Sequence, residues 1–182
     1  MTRSARAWAL LALPLALAGC AGESAAAPAA APSPAATVVA AAGPPATAVM
    51  VCSDDTRAKV QQLLGLPGAP HASATWADSV YACSYDLPMG SMTLSVRVLP
   101  GAAEAAARFA ADQKSAVGAQ SLAGLGQRAF GTPAGTASVV KDNQILTVDA
   151  TRLPAVVGTG QLKRTDLADQ VAAAVLDCWT GA

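Results

Sequence analysis

The sequence predicts an α+β domain in which helices cover one face of an antiparallel sheet of four to five strands. Three observations carry that expectation: two stretches where apolar residues alternate with period two, three stretches with helical spacing, and their order along the chain, α-β-β-α-β-β-β-α. Residues 50–182 hold these elements, a length typical of one domain with one core.

Ser53-Asp54-Asp55 supplies an N-cap followed by acidic first-turn residues, and Val60, Leu63 and Leu64 then share one helical face before Gly65 ends the helix. Pro67, Gly68 and Pro70 predict an irregular loop over residues 67–77, with the chain's only histidine, His71, inside it. From Val80 the period changes to two. Tyr81, Cys83, Tyr85 and Leu87 take one side, and beyond a turn at Pro88-Met89-Gly90-Ser91 the residues Met92, Leu94, Val96 and Val98 alternate with Thr93, Ser95 and Arg97. Pro100-Gly101 breaks the hairpin, and residues 102–117 have high helix propensity, anchored by Phe109. "GLGQRAF" at residues 124–130 enters a third strand through a glycine turn. The fourth and fifth strands form a hairpin in which Ala137 and Val139 face Leu146 and Val148, closed by Asp142-Asn143, a dipeptide that tolerates positive φ. After a second irregular loop through Pro154, Gly158 and Gly160, Thr165-Asp166 opens a last helix with the stripe Leu167, Val171, Ala174, Val175 and Cys178.

This arrangement bears on the cysteines. Cys83 points from a strand toward the helical layer and Cys52 stands where the first helix enters it, so the pair Cys52–Cys83 is sterically plausible and is the one we favour. Cys178, on the inward stripe of the last helix, competes for either partner; otherwise it is a small buried apolar residue or a free thiol.

Ahead of the domain, Arg3 and Arg6 precede an uncharged apolar run at residues 7–18, which is short for a membrane span of about 20 residues and suited to a secretory h-region. Leu17-Ala18-Gly19-Cys20 then resembles the lipobox of bacterial lipoproteins. That resemblance implies a signal peptide at residues 1–19, a diacylglyceryl group on the Cys20 thiol and cleavage that leaves Cys20 first. Residues 20–49, mostly Ala, Pro, Gly, Ser and Thr, have too little large apolar surface to offset the entropy of ordering and read as a disordered tether. Two acyl chains would hold such a protein on a membrane where one would not.

Twelve Lys+Arg balance twelve Asp+Glu, and loss of Arg3 and Arg6 with the signal leaves ten against twelve, a net charge of −2. That balance, with no basic run, excludes a phosphate-backbone footprint, so nucleic acid is not expected as a partner.

The lipobox cysteine with its Ala/Pro tether, Cys52 before a short helix ending "LLGLPG", "YACSYDLPMGSMTLSVRV" with a cysteine in its first strand, and "GLGQRAF" together span nearly the whole domain. On these residues the chain resembles actinobacterial cell-envelope lipoproteins of the DUF3558 type, with Gln127 standing in place of the family's acid. Cys178 looks like an addition to the pattern. The resemblance implies an exported binding or accessory role and brings no catalytic residues.

A hydrolase triad would need His71, but no G-x-S-x-G elbow accompanies it. Structural zinc needs four close Cys/His ligands, and three scattered cysteines with one histidine do not supply them. Asp54-Asp55 fits helix-start electrostatics better than cation binding. "SVVK" at residues 138–141 matches S-x-x-K, yet its alternation predicts a strand rather than the helix turn that would return the lysine to the serine. "GLGQRAFG" fails G-x-G-x-x-G at Ala129. The expectation is therefore a non-enzymatic, lipid-anchored module on the extracytoplasmic face of the cell membrane, with no cofactor or metal, which binds a small molecule or an envelope protein. The alternative is a structural or accessory subunit of an envelope complex. The sheet face left bare by the helices would carry Thr93, Ser95 and Arg97 from the first hairpin and Thr136, Ser138, Val140, Ile145 and Thr147 from the second, a mixed surface suited to recognition.

Overall fold

Backbone donors at the start of the first long helix are met by Ser53, whose hydroxyl accepts from the Thr56 amide at 3.3 Å, and Gly65 closes that helix in the left-handed region at φ 63°. The computed structural model describes residues 43–180; the segment expected to be a signal peptide, Cys20 and most of the segment expected to be a tether fall outside the described residues. The chain runs as a single-turn helix α1 (Ala46–Val49), a 3₁₀ turn (Met50–Cys52), α2 (Asp54–Leu64), strands β1 (His71–Ala77), β2 (Val80–Leu87) and β3 (Gly90–Val98), and α3 (Ala102–Ser115). It continues through β4 (Gln120–Leu122), β5 (Arg128–Gly131), β6 (Thr136–Lys141), β7 (Gln144–Asp149), a small hairpin β8 (Val156–Val157) and β9 (Leu162–Lys163), and α4 (Arg164–Thr180).

The α+β class and the antiparallel sheet are as expected, with more strands than the pattern announced. Seven strands stand in the order β1-β2-β3-β7-β6-β5-β4, and every neighbouring pair is antiparallel. Two meanders, β1-β2-β3 and β4-β5-β6-β7, meet where β3 pairs with β7. Both expected hairpins close on two-residue loops, Pro88-Met89 between Leu87 and Gly90 and Asp142-Asn143 between Lys141 and Gln144. Asp142 takes φ 54°, as a tight turn requires.

The expected loop over residues 67–77 is corrected. Its second half is β1, an edge strand with His71 as its first residue, joined to β2 by Asp78-Ser79 with φ 50° and 59°. No Gly or Asn marks that turn, and "HASATWA", mostly exposed with only Ala72 and Trp76 half-buried, lacks a fully buried face that would impose period two. The tether boundary also moves. Within the segment expected to be disordered, Ala46–Val49 forms α1, Ala48 is fully buried, and the Thr47 hydroxyl and Gln144 amide exchange hydrogen bonds at 2.8 and 3.0 Å.

One face of the sheet carries the main core. Tyr85, Leu94, Val96, Val139, Leu146 and Val148 lie under α2 and α4, meeting Val60 and Leu64 from α2 and Leu167, Val171 and Val175 from α4. The α4 stripe is shifted slightly from the expected one: Leu176 and Trp179 are buried, while Ala174 and Cys178 are half-buried at its margin. Cys52 and Cys83 form the disulfide, with Cα atoms 5.4 Å apart, and Cys178 is free. Beside that bond the buried Tyr85 hydroxyl donates to the Val51 carbonyl, and burial pushes its pKa up.

Helices do not occupy one face alone. α3 crosses to the second face, where Ala105 and Phe109 pack on Phe130, Val140 and Ile145. The Phe109 and Phe130 rings are tilted by 57° with centroids 5.3 Å apart. The physical reason lies in those outward-facing residues: Phe130, Val140 and Ile145 together form an apolar patch that water would leave exposed at a cost of about 1.5–3 kcal/mol per side chain.

Candidate functional site

α3 covers only part of the second face, and a groove of about 490 Å³ opens between its C-terminal half and the uncovered strands. Strand register builds the floor. Ser95 of β3 is opposite Thr147 of β7, which is opposite Ser138 of β6, which is opposite Phe130 of β5. Three hydroxyl side chains thus stand in one cross-strand row, about 4.8 Å apart strand to strand. The adjacent row holds Arg97 opposite Ile145 opposite Val140. Ser138 is only 3% exposed and Arg97 is half-buried.

The wall comes from α3, where Arg108 and Asp112 are one turn apart and the Arg108 Nε donates to both Asp112 carboxylate oxygens at 2.8 and 3.0 Å. Ala116 and the 91% exposed Val117 follow at the rim, and Thr132 and Ala134 close the far side from the β5–β6 connection. The Thr132 hydroxyl accepts from the Thr136 amide at 3.2 Å, which fixes that connection. Neither Arg97 nor the hydroxyls of Ser95, Ser138 and Thr147 make a side-chain hydrogen bond or ion pair among the described residues. Two guanidinium groups against one carboxylate leave the groove with a net positive charge.

Six of the eight residues that alternation assigned to the bare face line this groove: Ser95, Arg97, Thr136, Ser138, Ile145 and Thr147. Val140 is covered by α3, and Thr93 stands one row further out. Sequence reasoning missed Arg108, Asp112 and Phe130. The first two lie on a helix that was expected on the other face, and the signal that could have found them was the apolar triplet of Phe130, Val140 and Ile145, which demands cover.

The remaining candidates are dispersed. His71 is opposite Asp86 at the sheet edge, its Nδ1 3.2 Å from the carboxylate, with both side chains largely exposed. "SVVK" is strand, so Ser138 and Lys141 point to opposite faces. Asp54 pairs with Arg57 at 2.9 Å in the first turn of α2. In "GLGQRAF", Gly124 and Gly126 take φ 79° and 54°, and a Cβ on Gly126 would come within 2.8 Å of the Val140 carbonyl oxygen. Gln127 then donates its amide to that carbonyl and leads into β5. Asp169 of α4 has its carboxyl pKa raised by burial, with Asp166 adding to it. Among the described residues no helix is long and apolar enough to cross a membrane, and no three His, Cys, Asp or Glu side chains converge as a metal site would require.

No protein-family model, curated protein or solved structure matches this chain.

Proposed function

We propose that this is an exported lipoprotein, anchored through acyl chains on Cys20 to the extracytoplasmic face of the cell membrane, whose domain binds a small ligand without transforming it. The observation that carries the binding reading is the groove on the second face. Its volume lies within the range of small-molecule sites, it combines charged and hydroxyl side chains with apolar patches at Phe130 and Ile145, and the hydroxyls of Ser95, Ser138 and Thr147 and the Arg97 guanidinium have no protein partner among the described residues. The groove offers charge and hydrogen bonds for recognition, while a base within reach of a nucleophile, which catalysis would need, is not supplied by Arg97, Arg108 or the lone ion-paired Asp112. The anchoring reading is supported by the basic start, the apolar run and Leu17-Ala18-Gly19-Cys20 in sequence.

Labelled palmitate fed to cells tests the anchor: incorporation into the full chain and its loss in Cys20→Ser is expected, and equal labelling of both would reject it. Mass spectrometry of the full chain purified from its own membranes tests the groove. A retained small molecule lost on Phe109→Ala is expected. A protein that comes off the membrane with a stoichiometric partner and no small molecule would instead favour the accessory-subunit reading, for which the open edge of β1 offers unpaired backbone groups.

A further inference from the structure

We propose that the groove takes a polyhydroxylated carboxylate, an acidic saccharide unit being the type, with its carboxylate on Arg97 and its hydroxyls on the row Ser95, Thr147 and Ser138. This inference rests on the reading of the groove as a ligand site and names the chemical class of the ligand.

Charge argues for the carboxylate. Arg108 has committed its Nε to Asp112, whereas Arg97 has no ion pair among the described residues, so a single added anion would neutralise the groove. The planar guanidinium presents paired N–H donors that match a carboxylate in two parallel hydrogen bonds.

The floor argues for hydroxyls on the ligand. Each Ser or Thr hydroxyl donates one hydrogen bond and accepts two, and three of them lie in register on adjacent strands. Ser138 is the sharpest case, 97% buried by its 3% exposure yet without a hydrogen bond to the described protein. An apolar ligand would expel water from this row and leave the hydroxyls unpaired, which disfavours it strongly. The polar surface also continues past the groove: Ser95 is opposite Ala82 and then Thr75, and the next row runs Thr93, Ser84, Ser73. A saccharide longer than one unit would find hydroxyls there instead of a wall. Phe130 and Ile145 complete the groove with the apolar contacts that the C–H face of a sugar ring uses.

Isothermal titration of the full chain with glucuronate, glucose, benzoate and inorganic phosphate tests the proposal. Glucuronate is expected to bind at millimolar concentration or better. Glucose, which lacks the carboxylate, benzoate, which lacks the hydroxyls, and phosphate should each bind at least about tenfold more weakly. Arg97→Gln should weaken glucuronate by at least about tenfold, Arg97→Lys by less, and Ser138→Ala by several-fold, with the thermal midpoints unchanged. Three results overturn the proposal: no glucuronate binding, binding indifferent to Arg97→Gln, or glucose, benzoate or phosphate bound as tightly as glucuronate. In each case a different small molecule retained by the native protein and lost on Phe109→Ala would leave the broader ligand-binding reading standing, so the two fail separately.

Discussion

Ser53, Asp169 and Tyr85 show how far one side chain's environment can be read from its neighbours in sequence. Ser53 was legible, because a cap acts within one turn: its hydroxyl meets the Thr56 amide, and the Thr56 hydroxyl in turn donates to the Met50 carbonyl at 2.7 Å. Ser53→Ala should cost about 1 kcal/mol, measured by urea unfolding. Asp169 was not legible, since its environment depends on how α4 meets the β5 end of the sheet beside Gly131. Its folded pKa is raised by burial and then by Asp166, so the folded state holds this proton more tightly than the unfolded one. The resulting penalty is present above the raised pKa and fades as pH falls through it toward the ordinary carboxylate range. Asp169→Asn should therefore raise the thermal midpoint at neutral pH, with the gain shrinking in acid; a gain independent of pH would reject the assignment. Tyr85 combines both cases, since alternation placed it inward but only the fold supplies the Val51 carbonyl that receives its hydroxyl.

Elements with a buried face announced themselves, and elements without one did not. β2, β3, β6 and β7 each place alternate residues in the main core, so a period of two is written into their composition. β1 and β4 are sheet edges without a fully buried residue: in β1 only Ala72 and Trp76 are half-buried, and β4 has three residues of which only Leu122 is half-buried, so neither has a run of alternation to read. α3 had the converse problem, a legible helix with an illegible destination. Phe109→Ala should cost about 3–5 kcal/mol by leaving a cavity over Phe130, and should open the groove by loosening the wall that carries Arg108 and Asp112. Denaturant unfolding together with loss of the retained ligand would check both effects. The Cys52–Cys83 bond ties the 3₁₀ turn to β2 across 31 residues, and replacing both cysteines by serine should cost roughly 3–4 kcal/mol in a denaturant titration.

For the molecule as a whole, the thiols offer a direct check on the assembled picture. With the disulfide closed and Cys20 acylated, alkylation of the unreduced, denatured mature protein should modify Cys178 alone; a second reactive thiol would mean an unmodified Cys20, and more would mean no disulfide. The two meanders share one sheet, yet α2 and α4 lie on one face and α3 on the other, and that division creates the groove. The α+β class, the three long helices, both central hairpins and most of the groove floor could be read from the residues alone, because helical spacing, caps and strand alternation are local and repeat within a few residues. Which face α3 covers, the extension of the sheet by β1 and β4, and the meeting of Arg108 with Arg97 and Ser138 around one space emerged with the folded chain. Those outcomes depend on which apolar surface remains uncovered after the first core has formed, a competition between segments far apart in the chain that no local period records.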